Sequence, residues 1–314
     1  MITNIPRAKD FEANGLAFLN LAWESVLGLS RELSESGEYQ AKHYSLTKKQ
    51  REKLEAKFWQ QRQPALAVAV ALAHQGAEFL LKAQITRVSP FLLISGDLSK
   101  WPAHRNSISK SFADFRTVDA QDLPRLHDGV CPSPMPDVFR DRFEELRKLR
   151  NTVMHSVDTS RPFTVHDGVV AVLEISDALF GATSWHKRRK AYVDGQVNHW
   201  DPFGFSDFNP AYPFAKETLH VVDEILEPWE VIQFYGFDPK QRRYICRGCE
   251  ETHADDRIRS CLLTPKGAAT TTIVCFCCFE SLEVVRRDCT VGKCKGNVLD
   301  PDDYDYCLTC GEYP

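Results

Sequence analysis

Near the middle of the chain the sequence LRNTVMHS, residues 149–156, sets an arginine, an asparagine and a histidine close together. An imidazole, whose ordinary pKa lies near neutrality, can take a proton from a ribose hydroxyl. A guanidinium can grip a phosphate through two parallel hydrogen bonds and offset the charge that develops as a bond breaks. Arg150 and His155 therefore carry the groups needed to drive internal attack of a 2′-hydroxyl on its own phosphodiester, with no metal. A plainer reading gives His155 to the helix dipole at a C-terminus and Arg150 to a buried ion pair.

The element that must position them starts at Asp137 and reads DVFRDRFEELRKLRNTVMH. Phe139, Phe143, Leu146, Leu149 and Val153 recur along one side, which predicts an amphipathic helix. At about 100° per residue, Met154 also falls on that side, whereas Asn151 and His155 fall on the far side, one turn apart. Arg150 lies about 40° from Leu146, on the inner flank, where a permanent charge needs an anionic partner. Glu78 in GAEFLLKA, four residues before Lys82, is the expected counter-charge.

Other helices are expected upstream and downstream. LAFLNLAWESVLGLSREL places Leu16, Leu19, Trp23, Val26 and Leu27 at helical spacing, and SLTKKQREKLEAKFWQQRQ begins with Thr47 and Gln50 in capping-box register. Pro64 then opens an Ala-rich stretch, ALAVAVALAHQGAEFLLKAQI, apolar on nearly all sides and hence buried. Residues 96–136, with five prolines and no sustained period, are expected to be mostly loop. GVVAVLEISDALFGA, SWHKRRKAYV and AKETLHVVDEILEPWEVIQFYG continue the helical pattern, the last bent or ended at Pro228. After Gly236 short β-prone pieces and cysteines take over. The expected fold is mainly α: an N-terminal helical extension over 1–60, a helical domain over 61–236 and a small β-rich module over 237–314.

Ten of the eleven cysteines fall between Cys246 and Cys310. Cys246 with Cys249 and Cys275 with Cys278 form two C-x2-C knuckles; Cys289 with Cys294 and Cys307 with Cys310 form two further pairs. Each pair presents two thiolates along one tetrahedral edge, so two pairs close a four-thiolate structural zinc site. Two such Zn2+ sites are expected, and a full set of four cysteine ligands leaves no open position for catalysis. The glycines after Cys294 and Cys310 suit zinc-ribbon turns. Cys261 and Cys277 stay unassigned, either able to replace a knuckle cysteine, and Cys131 reads as a packed thiol.

With 314 residues, 43% hydrophobic and 26% charged, the chain has apolar material for one large core and an appendage. Its formal net charge of −4 exerts no global pull on polyanions, so nucleic-acid contact needs a local cluster. The dense basic run HKRRKAY offers one: Lys187, Arg188, Arg189 and Lys190 are the candidate RNA-binding residues. From Gly296 to Pro314 there are five acidic residues and no lysine or arginine, a surface expected to meet a protein trigger or regulator. The start of the chain lacks a basic flank and apolar h-region, and the longest apolar run, Ala65 to Ala73, is too short for a bilayer. A cytoplasmic protein with no membrane contact is expected.

The run LRNTVMHS resembles the Arg-polar-x3-His signature that HEPN ribonucleases carry on the last long helix of a helical bundle, and EFLLK resembles the Glu-x3-Lys element of some of these families. The resemblance spans residues 60–235. It implies that Arg150 and His155 are catalytic, with Asn151 in support and Glu78 orienting Arg150. It further implies a homodimer with a composite cleft, cleavage of single-stranded RNA or tRNA loops to a 2′,3′-cyclic phosphate, and a role as a toxin or antiphage effector. The alternatives are a non-catalytic module that binds a nucleotide or partner, and a zinc-ribbon adaptor.

Overall fold

The computed structural model describes residues 1–96, 99, 101–102, 109–155, 162–196, 209–250, 257–267 and 269–314, without the side chains of 38, 40–42 and 153–155. The described chain is mainly helical, with a small C-terminal β region that carries the cysteine clusters.

Thr47 caps α2 (Lys48–Val88) as its sequence register requires. Its side chain accepts from the Gln50 N–H at 3.3 Å, and Gln50 Oε1 accepts from the Thr47 N–H at 2.9 Å. The helix runs through Pro64 instead of starting there. Proline removes the hydrogen bond to the Gln60 carbonyl, but both residues are exposed, so water can take the freed acceptor. One 41-residue helix results, exposed in its charged first half and with its buried residues lying between Leu66 and Thr86. Contrary to the short apolar run read from sequence, α2 contains a window long and apolar enough to cross a bilayer; 61% of that window is buried inside the protein.

The core is built around this helix. Antiparallel to it, α1 (Ala8–His43) buries Leu19, Trp23, Val26 and Leu27. The two backbones approach closely where Gly15 meets Gly76: a Cβ on Gly76 would stand 2.7 Å from Leu19 Cδ2 and 3.0 Å from the Gly15 carbonyl oxygen. Against the same helix, α4 (Asp137–His155) packs Phe139, Phe143 and Leu146, as its periodicity predicts. α5 (Val165–Phe180), started by a Thr164–Asp167 capping box, closes the core over α1 and α2. Part of the expected loop is helical: α3 (Leu123–Val130) buries His127, whose Nε2 lies 2.6 Å from Gln84 Oε1. A short parallel pair joins β1 (Ile2–Thr3) to β2 (Lys110–Ser111).

The chain divides into two compact units, Met1–Gly181 and Ala182–Pro314. This differs from the divisions expected at 60 and 236. Residues 1–60 are no appendage to the bundle, because α1 supplies much of its core. Nor does the core change at Gly236, where only the secondary structure does. In the second unit α6 (Ser184–Gly195), α7 (Ala211–His220) with a following π turn (Val221–Ile225), and α8 (Pro228–Tyr235) share one aromatic core with the β module. The His186 ring lies 5.0 Å from Phe214, 5.1 Å from Tyr235 and 5.1 Å from Phe279, and Phe237 stacks on Phe276 at 4.4 Å.

The β module holds an antiparallel sheet of β3 (Tyr244–Ile245), β4 (Arg259–Leu263), β5 (Thr272–Cys275) and β6 (Ser281–Glu283), in that order. A second pair follows, β7 (Leu299–Asp300) with β8 (Tyr306–Cys307). A bridge between Val285 and Leu299 and a 2.8 Å bond from the Ile245 N–H to the Leu308 carbonyl tie the two parts together.

The helix crossing yields a contrast. Gly76→Val should cost about 3 kcal/mol or more, because a backbone oxygen blocks the new side chain. Gly28→Ala, with nothing within 4 Å of a new Cβ, should stabilise by about 1 kcal/mol. Urea denaturation of both variants checks this; equal stabilities would show that α1 and α2 do not meet closely at Gly76.

Candidate functional site

On α2, His74, Glu78 and Lys82 follow one another at intervals of one helical turn and are all buried. Lys82 Nζ donates to Glu78 Oε1 at 2.7 Å. From α4, the Arg150 guanidinium places Nη1 3.7 Å from the other carboxylate oxygen, Glu78 Oε2. The partner expected from the helical wheel is therefore the one present. At that distance Arg150 is held by Coulomb attraction and not by a hydrogen bond, and its Nη2 donates to Asn151 Oδ1 at 3.0 Å. Of its five N–H donors, most stay uncommitted to the described residues.

Asn151 is half-buried and occupied with Arg150, so it does not simply project outward as the wheel suggests. His155 ends α4, and its side chain lies outside the described residues. Upstream of the motif α4 is tied to α5, and the approach to α5 is tied to α2. Arg142 bonds Glu174 of α5, and Gln63 of α2 clasps the Phe163 backbone, donating to its carbonyl at 3.0 Å and accepting from its N–H at 2.7 Å.

Sequence reasoning missed His74. Its ring is fully buried, 4.8 Å from that of Phe143, and neither ring nitrogen has a hydrogen-bond partner among the described residues. Burial, and then the positive charges of Arg150 and Arg147, push its pKa from 6.5 down to about 3. Its four-residue spacing from Glu78 was the available signal, hidden because a histidine within an Ala-rich run reads as incidental.

The basic run on α6 separates into different roles. Arg189 is buried and grips Glu217 through two bonds of 2.8 and 3.0 Å, so it is a core residue and not an RNA contact. Lys190 bonds Asp194 at 2.7 Å and Arg188 also has a partner, whereas Lys187 is exposed. The acidic end of the chain is partly neutralised from within: Asp303 pairs with Arg247, and Asp305 with Arg287 at 2.5 Å.

The cysteines assemble as their spacing predicts. Cys246, Cys249, Cys275 and Cys278 form one group and Cys289, Cys294, Cys307 and Cys310 another, each with its sulfurs within 4.8 Å of one another, and each could hold a metal ion. Four sulfurs about 2.3 Å from a tetrahedral ion stand about 3.8 Å apart. The Cys246–Cys278 and Cys249–Cys275 separations are 3.6 and 3.8 Å, and Cys289–Cys310 and Cys294–Cys307 are both 3.9 Å. Backbone N–H groups of Cys277 and Cys278 point at Cys275 Sγ, at 3.2 and 3.3 Å, as suits a thiolate. Hydrogen bonds from Cys249 and Cys261 draw the Cys246 thiol down to about 4. Cys261 stands opposite Cys275 in the β4–β5 register, where it supports the group from outside. Cys277 is a buried thiol beside the group, and burial raises its pKa.

No protein-family model, curated protein or solved structure matches the chain, and its function has to be read from its own residues.

Two measurements bear on these sites. Because the folded pKa of His74 lies below its ordinary value, the unfolded chain binds the extra proton. Stability should therefore be complete above about pH 6.5 and fall by up to about 1.4 kcal/mol per pH unit as pH drops toward 3. His74→Phe should flatten that slope in denaturation series; an unchanged slope would remove His74 as the cause. Elemental analysis should find two metal ions per chain, and Cys307→Ser should leave one.

Proposed function

We propose that the chain is a metal-independent endoribonuclease of HEPN type that acts as a homodimer in the cytoplasm. The observation that carries the reading is the Glu78–Arg150 pair: a buried carboxylate, anchored by Lys82, holds a guanidinium on the motif helix while leaving donors for a phosphate. In this reading His155, five residues along the same helix, takes the proton of a 2′-hydroxyl. The freed oxygen attacks the adjacent phosphorus, the 5′-oxygen leaves, and a 2′,3′-cyclic phosphate remains. Arg150 offsets the charge on the phosphoryl oxygens. Asn151, bonded to Arg150, limits its rotation. Two protomers would bring both copies of the motif to one cleft that admits single-stranded RNA or tRNA loops, an activity suited to a toxin or antiphage effector.

Zinc fits both four-cysteine groups in donor type and spacing, and there it would act as a staple for strands too short to fold alone. The β module then serves as a docking element for a protein trigger. A second reading, a non-catalytic binding module, draws on the fact that Glu78 and Asn151 already give Arg150 two partners.

The test is cleavage of single-stranded RNA by the zinc-loaded protein during brief exposure to EDTA, with product ends mapped. Wild type should leave cyclic phosphates; His155→Ala and Arg150→Ala should each lower the rate at least about 100-fold. Undiminished cleavage by His155→Ala would overturn the assignment, and absence of cleavage by wild type would favour the binding module.

A further inference from the structure

The second unit contains a cleft of ≈ 430 Å³, walled by α6, the end of α8 and strands β4 and β5. Its size falls within the range of small-molecule sites. Two separate observations mark it as built for a ligand.

The first is backbone strain. Thr183, Gly236 and Phe279 all line the cleft, with φ of 60°, 77° and 67°. Glycine adopts such angles freely, but a β-branched threonine and a phenylalanine do so at a cost of order 1 kcal/mol or more. Phe279 directly follows Cys278, whereas glycine, at φ 80°, fills the matching position after Cys310. The Phe279 ring is 38% exposed, so packing alone does not account for a phenylalanine in that conformation.

The second is charge. Lys187 and Lys266 are exposed at the cleft, and neither has a carboxylate within ion-pair distance among the described residues. Nearby cations do: Arg189 holds Glu217, Lys190 holds Asp194 and Arg243 holds Asp223. Lys187 instead lies over the Phe279 ring, 5.8 Å from its centre. Asp238 is the carboxylate among the lining residues, so the two ammoniums outweigh it.

We propose that this cleft binds a nucleotide: the base packs on Phe279 and the phosphate sits between Lys187 and Lys266. A flat aromatic surface beside two ammoniums matches that ligand class. The nucleotide is either free or one unit of an RNA strand. The site lies wholly in the second unit and does not depend on the ribonuclease reading.

Calorimetric titration of the zinc-loaded full chain tests it, using AMP, adenosine, inorganic phosphate and a short single-stranded RNA with 2′-O-methyl riboses, which cannot be cleaved by internal attack. AMP or the RNA should bind, and adenosine and phosphate should each bind at least about tenfold more weakly. AMP binding assigns the site to free nucleotides; binding of the RNA without AMP assigns it to a strand. Phe279→Gly should weaken binding about tenfold or more while keeping the fold, because glycine suits that backbone and offsets part of the packing lost with the ring. Lys187→Ala with Lys266→Ala should weaken binding and reduce its salt dependence. Failure of wild type to bind either ligand, equal binding by phosphate alone, or full affinity in Phe279→Gly would each overturn the proposal.

Discussion

A carboxylate buried beside two cations organises the first unit. Glu78 is withdrawn from water by the packing of α2, a situation tolerable only because Lys82 bonds one oxygen and Arg150 faces the other. Loss of one partner from such a group typically costs about 3–5 kcal/mol. The pair therefore favours the rotation of α4 that its buried Phe139, Phe143 and Leu146 also require. Hydrophobic contacts of Phe139, Phe143 and Leu146 bring the two helices together, and the ion pair adds a preference for the rotation that faces Arg150 toward Glu78. His74 completes the arrangement as a neutral group, since burial and then the nearby guanidiniums of Arg150 and Arg147 disfavour a positive charge there.

The second unit depends on a different constraint. Its strands are two to five residues long and would not persist as isolated ribbons. Close-packed sulfurs replace the missing core at two points, and the helices α6 to α8 cover the remainder with aromatic rings. In the same region the buried Arg189 is matched by the carboxylate of Glu217. The two units thus use opposite means to hold a small structure in register: one buries a charge among helices, the other gathers thiolates among strands.

Helical periodicity made α1, the start of α2 and α4 legible, and the wheel of α4 put Arg150 inward with Glu78 as its partner, as found. The cysteine pairs were equally legible, because a tetrahedral site constrains spacing within each knuckle. What could not be read were features set by contacts distant in sequence. Pro64 looked like a helix start, but its exposure lets the helix continue. Arg189 looked like a free cation until α7 supplied Glu217. Asn151 looked outward until Arg150 turned to it.

From the sequence alone came the element types, the grouping of ligands and the identity of the charged pair, all of which follow from local periods of 3.6 residues or from short chelating loops. The division at Gly181, the burial of His74 and the cleft around Phe279 were decided by tertiary structure. The reason is physical. Periodicity states which face of an element turns inward, but only the packing of other elements states what that face meets, which charges are neutralised there, and which polar atoms are left without a partner.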